Sequence, residues 1–416
     1  MTIIVALLKV IFLLGFLILI HEMGHLTVAK LCKVKVNEFA IGFGPTIWKK
    51  QGESTKYAIR LIPLGGYCDM EGEEKRSEEQ GSFSNASILK RFAILVAGAT
   101  VNIVFGIIIY FILMSFSTNT YVTNQIDSTL DGYIAKDIGI QKNDKIIEIN
   151  GKKIQNKYDL NKQMKKNQGN EMNLKIERNG KKYEYNIRPT EVKNKSTGIY
   201  LNEKCKILSV DKGSSAEKQG IKANDKIIKV NNVDVNEDTN KVIEIIQEKG
   251  LNTVLITIER DKQYINIELT PDYISSYYLG VNLKQSDNNF INHIIYGGLE
   301  TNEFIFSIIT NLKNMFTGGV SIDQMMGPVG ISEAVAKTNG IREFVYILAL
   351  ISLSLGITNL LPIPALDGGK ILILLIEAIR RKPMNEKTEI NIQLIGLSLL
   401  IGLSIYVTYN DILRFF

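Results

Sequence analysis

Five consecutive residues, His21, Glu22, Met23, Gly24 and His25, have the types and spacing of a metal site. On a helix, two imidazoles four residues apart share one face and can grip a single ion, and Glu22 projects beside them as a base for an attacking water. The chain holds only three histidines, and two of them fall here. A polar helix end with ordinary hydrogen bonds is the plainer reading, but three ionisable groups in an otherwise apolar run are costly in lipid and usually functional. Catalytic zinc takes three protein ligands and keeps a position open, so this motif is one ligand short. An extended zincin motif would continue with a glycine and a third histidine, where this chain has Val28 and Leu31. His293 is expected on the opposite side of the membrane. Asp367, in a distant apolar run at matching depth, is the expected third ligand.

The surroundings of Asp367 have a logic of their own. In NLLPIPALDGG (residues 359–369), Pro362 and Pro364 remove backbone donors and break the helix, leaving carbonyls that cannot face lipid. Such a break should line a protein cavity. Asn359 offers an amide donor there, and Gly368 and Gly369 permit close backbone approach. The chemistry expected is hydrolysis of a peptide bond. Zn2+ activates water, Glu22 takes its proton and returns it to the leaving amine, and the Asn359 amide supports the developing oxyanion.

The elements that must position these groups come next. Over 416 residues the composition is 45% hydrophobic and 22% charged with net charge +6, but this averages very apolar stretches with a middle rich in Lys and Asn. Basic and acidic residues are interleaved, with no basic stripe among aromatics, so nucleic acid is not an expected partner. Cys32, Cys68 and Cys205 have no paired or C-x-x-C spacing and read as small apolar fillers. The apolar run from Thr2 to Cys32 is long enough to cross a bilayer and reads as a membrane helix; it lacks the basic start and cleavage site of a signal peptide. Residues 34–70 carry β-branched and alternating runs bounded by Gly and Pro, which predict a membrane-associated β-hairpin. A charged loop at 71–82 precedes a second span near Ser87–Met114. Residues 341–379 give a third span, and 391–409 a fourth. Residues 288–318 mix apolar positions with Asn and Glu and predict a helix lying at the membrane surface.

An internal repeat fills the middle of the chain. GIQKNDKIIEINGKKI at 139–154 realigns with GIKANDKIIKVNNVDV at 220–235, each copy with an Asp (Asp144, Asp225) opening a strand. Two β-rich modules in tandem are expected, at 117–192 and 193–272. They lie between an N-terminal membrane part (1–116) and linker helices (273–340), followed by a C-terminal membrane part (341–416). The fold class is therefore α+β, a polytopic membrane protein with four transmembrane helices. Basic residues Arg380, Arg381, Lys382 and Lys387 place the loop between the last two spans in the cytoplasm, so the modules fall outside it.

HEMGH near one end and NLLPIPALDGG near the other together resemble the paired signatures of the site-2 protease family of intramembrane zinc metalloproteases. GFGP at 42–45, IPLGGY at 62–67, AGATVN at 97–102 and MGPVGI at 326–331 resemble motifs of its bacterial regulator-of-sigma-E subgroup. Ala99 stands where that subgroup commonly has Pro. The resemblance implies zinc on His21, His25 and Asp367, catalysis by Glu22, and PDZ domains as the tandem modules. It also implies substrate contacts at Asn359, Pro362 and Pro364, and in the hairpin at Gly65 and Gly66, whose strands could add an edge to an unwound substrate. The partners it implies are single-pass membrane proteins, such as anti-sigma factors or remnant signal peptides, within the lipid bilayer. The active site is expected near the cytoplasmic face of the cell membrane. The modules are expected to face substrate ectodomains and to bar uncut proteins; removing residues 117–272 should then admit intact substrates.

Overall fold

The computed structural model describes residues 3–73, 75–202, 204–248, 253–316 and 327–415. It divides into two compact units, one of Met1–Phe116, Glu300–Lys313 and Met325–Phe416, the other of Ser117–Leu299 and Asn314–Gln324. The first unit opens with α1 (Ile3–Leu31), whose Leu-rich, proline-free sequence favours one long helix. Two long strands follow, β1 (Val36–Gln51) and β2 (Lys56–Met70), paired antiparallel with bulges along much of their length. Phe43, Ile47, Trp48 and Leu61 are exposed on this hairpin. At its base Glu38 accepts from Lys56 (2.8 Å), Arg60 (2.7 Å) and Tyr67 (2.8 Å). Partial burial pushes the Glu38 carboxyl up, but these three donors outweigh it and hold it at about 2. Helix α2 (Ile88–Ser115) completes this stretch.

The second unit begins with β3 (Val122–Thr129), α3 (Ile134–Asp137), β4 (Lys145–Ile149), β5 (Lys152–Lys153), α4 (Lys157–Asn167), β6 (Met172–Arg178) and β7 (Lys181–Ile187). Strand β8 (Thr190–Ser196) then leads into a second module. It comprises β9 (Ile199–Leu201), β10 (Ile207–Val210), α5 (Ser215–Lys218), β11 (Lys226–Val230), β12 (Val233–Asp234), α6 (Thr239–Gln247), β13 (Val254–Arg260) and β14 (Gln263–Leu269). The chain returns along β15 (Asp272–Tyr278), which pairs with β8 from Ser196↔Asp272 to Thr190↔Tyr278, and continues into β16 (Val281–Gln285). Strand β16 pairs with β3 and forms the edge of the first module's sheet, in the order β16-β3-β4-β6-β7. The second module is thus inserted within the first and hung on a two-stranded ribbon, whereas a purely tandem division would leave residues 273–285 to a linker. The reason is apolar: Leu279, Val281 and Leu283 pack on the core of Ile126, Ile146, Leu174 and Ile176. Each module repeats one buried ion pair. Arg178 grips Asp144 through Nε (2.8 Å) and Nη2 (2.7 Å), and Arg260 grips Asp225 at 2.6 Å through the same two atoms.

The chain re-enters the first unit within α7 (Phe290–Phe316) and continues through α8 (Pro328–Ala336), α9 (Ile341–Asn359), α10 (Asp367–Arg380) and α11 (Glu386–Phe415). Residues 317–326 of the sequence-based linker segment, including Met326 of MGPVGI, lie outside the described residues. Among the described residues four helices are long and apolar enough to cross a membrane: Ile4–Leu31, Ile88–Ser115, Ile341–Asn359 and Glu386–Ile412. Helix α7 is not one of them; within the first unit its Phe304 ring stacks on Tyr110 of α2 with centroids 3.9 Å apart. Helix α2 is the hub. Its Ala99 and Gly106 backbones approach Gly356 and Ala349 of α9 so closely that larger residues would not fit, and Ser352 Oγ donates to the Asn102 carbonyl at 2.8 Å. Asp367 does not end the third apolar helix but opens a separate one. Proline at 362 and 364 stops α9, and the chain turns through residues 360–366 before α10 begins.

Candidate active site

Helix α1 presents His21 and His25 on one face, as the four-residue spacing requires, and both imidazoles are buried. His21 Nε2 and His25 Nε2 lie 3.2 Å apart; Asp367 Oδ2 lies 3.2 Å from the first and 3.4 Å from the second. These three form the metal-competent cluster found among the described residues. Ligand atoms about 2.0–2.1 Å from a tetrahedral zinc lie roughly 3.3–3.4 Å from one another, so the triangle already has the size of one face of such a site.

Hydrogen placement makes the fit stricter. His25 Nδ1 lies 2.8 Å from the Ile94 carbonyl, which can only accept, so Nδ1 carries the proton and Nε2 keeps its lone pair. His21 Nδ1 faces the fully buried Asn102 carboxamide at 3.4 Å, whose Oδ1 is otherwise unpartnered. Asn102 Nδ2 is the atom that faces His21 Nδ1; turning the carboxamide over would present Oδ1 to an Nδ1–H instead, so the His21 tautomer follows the orientation of that amide. The His25 Nε2 lone pair and the His21 Nε2 both face the buried Asp367 Oδ2. With His21 in its Nδ1–H form the three atoms make a donor set with no hydrogen among them, which a cation would hold together.

Helix α2 leaves room for this meeting because residue 98 is glycine: a Cβ there would stand 2.4 Å from His25 Nε2 and 2.8 Å from His21 Nε2. Helix α10 brings Asp367 in as its first residue; the N-cap is Leu366 and no side chain caps the end. Gly368 and Gly369 let the preceding turn lie against the helix start, since a Cβ on either would meet the backbone of residues 360–364 within 2.7 Å. Buried Glu377 ties α10 to α2, accepting from Arg91 at 2.9 Å and from the Met384 N–H at 2.7 Å. Lys370, one turn beyond Asp367, pairs with Glu73 at 2.7 Å.

The remaining residues singled out in the sequence fall into two groups. Gly66 of β2 lies against the Glu22 side chain: a Cβ there would be 3.6 Å from Glu22 Cγ, so the hairpin passes directly beside Glu22. Gly65 has φ +98° and backs onto the Phe43 ring. Asn359 is the last residue of α9, Pro362 is exposed and Pro364 packs on Gly396 of α11; among the described residues none of the three bonds to His21, His25 or Asp367. Ile94, Gly98 and Asn102 were not singled out as site residues. For Gly98 and Asn102 the signal was the run of small residues in AGATVN around one asparagine; the Ile94 backbone carbonyl had none.

Two imidazoles on a membrane-length helix and a carboxylate closing on one point, with a glutamate next to them, define a membrane metalloprotease. The sequence profile of peptidase family M50 matches residues 9–403. The regulator of sigma E protease of Haemophilus influenzae is 30% identical over 435 residues, covering 96% of each chain. A putative zinc metalloprotease of Clostridium acetobutylicum is 30% identical, covering 96% of this chain and 94% of its own. The regulator of sigma-W protease RasP of Bacillus subtilis is 28% identical, covering 97% of both. The chain belongs to peptidase family M50, and its cofactor is zinc.

Proposed function

We propose that this protein is an intramembrane endopeptidase that hydrolyses peptide bonds in the transmembrane segments of membrane proteins already shortened by a first cut. The observation that carries the reading is the donor triangle of His21 and His25, on the membrane-length α1, with Asp367 at the start of α10, and with Glu22 alongside. When bound there, zinc supplies Lewis acidity toward a water and the scissile carbonyl. Glu22 takes the water's proton on its carboxylate and delivers it to the leaving amine. The Ile94 carbonyl holds the His25 tautomer so that its Nε2 lone pair stays free, and Asn102 orients the His21 ring. The hairpin beside Glu22 would hold the substrate as an added strand through Gly65 and Gly66, with Asn359, Pro362 and Pro364 bordering the cleft.

The active site would lie toward the cytoplasm and the two modules outside it. In this reading the modules are PDZ domains, at 117–192 and 193–272 with β16 closing the first, that exclude bulky ectodomains. Because β16 pairs with β3, a clean deletion of both runs from 117 to 286 rather than stopping at 272. Anti-sigma factors and remnant signal peptides are the proposed substrates; the similarity to regulators of sigma E and sigma-W supports a role in sigma-factor control. The test is cleavage of a model single-span substrate by purified wild type and Glu22→Gln, with zinc content measured on both. Cleavage lost in Glu22→Gln with zinc retained supports the reading; equal cleavage by the two proteins rejects it.

A further inference from the structure

The bend that delivers Asp367 is strained and held from outside. The Ile363 carbonyl accepts the Leu366 N–H at 3.2 Å, with Pro364 and Ala365 at the central positions and Ala365 at φ +74°. These are the marks of a type II turn, whose second central position suits glycine and strains an alanine. The Ala365 N–H points out of the turn and donates to Gln393 Oε1 of α11 at 2.5 Å. Three residues along the same face of α11, Gly396 leaves room for Pro364, whose carbonyl oxygen and Cβ would lie 2.4 Å from a Cβ there. Gln393 Nε2 is buried without a partner, so the acceptor is what this side chain contributes.

We propose that Gln393 is a positioning residue of the metal centre: by accepting the Ala365 N–H it fixes the bend that sets Asp367 against the two imidazoles. The proposal rests on the reading of Asp367 as a zinc ligand. Without the acceptor, alanine has no reason to keep a positive φ, and relaxation of that one torsion swings the chain two residues before the carboxylate. Gln393 itself touches neither substrate nor ion.

The experiment uses the full chain in detergent and reads zinc affinity by competition with a chromophoric chelator, alongside kcat/KM on a model substrate. Gln393→Leu should weaken zinc binding about tenfold, the usual scale for losing a group that orients a ligand. Gln393→Glu keeps the acceptor and should stay within about threefold of wild type. Ala365→Gly placed in the Gln393→Leu background should recover most of the loss, because glycine adopts the positive φ unaided. Gln393→Asn, which withdraws the acceptor by one methylene, gives the same comparison should the Leu variant fail to fold. Wild-type zinc affinity in both acceptor-lacking variants, with Asp367→Asn still impaired, would overturn the positioning role while leaving the ligand reading intact. Unimpaired zinc binding by Asp367→Asn would overturn the ligand reading itself. A deficit that Ala365→Gly cannot relieve would show that Gln393 does not act through the bend.

Discussion

Replacing Gly98 by alanine adds one methyl group at the point where α2 meets the two imidazoles. The new Cβ would stand 2.4 Å from His25 Nε2 and 2.8 Å from His21 Nε2 and Cε1. A comfortable non-bonded separation is about 3.5 Å, so His25 Nε2 must retreat by roughly 1 Å. Relieving the clash by moving α1 away as a body would give up the close packing of Gly24 on the Ala97 carbonyl of α2. Zinc tolerates ligand displacements of about 0.2 Å. A 1 Å misplacement lowers rate about 100-fold, or about 2.7 kcal/mol of transition-state stabilisation. The assay is zinc stoichiometry after gel filtration, together with cleavage of a model substrate. Gly402→Ala, whose added Cβ meets nothing within 4 Å, is the matched control and should behave as wild type. Stoichiometric zinc and activity within threefold of wild type for Gly98→Ala would refute the account of the site as a close fit between α1 and α2.

Arg178→Ala leaves the buried Asp144 carboxylate without its partner and should destabilise the first module by about 3–5 kcal/mol at neutral pH. Burial pushes the Asp144 carboxyl up, but the Arg178 hydrogen bonds and the Gln141 N–H hold it below its ordinary value. The stability this pair contributes is therefore present above the unfolded carboxyl's pKa, near 3.9, and is lost as pH falls through the lower folded one. The gap between Arg178→Ala and wild type, read by chemical denaturation, should be widest near pH 7 and close toward pH 4 and below. The ribbon of β8 and β15 makes a second prediction: replacing Thr197–Pro271 with an Asn-Gly turn should join Ser196 to Asp272 as a hairpin. The first module should then keep its cooperative thermal transition; loss of that transition would mean that the inserted module is required for the first to fold.

The helix of HEMGH and its one-sided histidines were legible because an i, i+4 relation is fixed by local geometry alone. The two prolines announced a break in the third apolar run, and the structure places there the turn that frees Asp367 to begin a new helix. What the sequence did not reveal depends on surfaces meeting across the fold. Gly98 and the Ile94 carbonyl matter only because α1 lies against α2, and a backbone carbonyl leaves no mark in a sequence. Gln393 was invisible for the same reason: nothing in an apolar helix says that one amide meets a turn some thirty residues earlier. The β modules were visible through the repeat at 139–154 and 220–235, but the repeat is silent about β16, a five-residue strand whose partner lies about 150 residues upstream. Strand pairing over that separation is set by which core has an unfilled edge.

That distant pairing also dictates an order of events during synthesis. Strand β3 leaves the ribosome long before β16, and at about 5–20 residues per second the interval is roughly 8–30 s. The inserted module is complete in sequence by Leu269 and can fold while its host still lacks an edge strand. For those seconds β3 exposes an unpaired edge, open to capture by a chaperone or by another nascent chain.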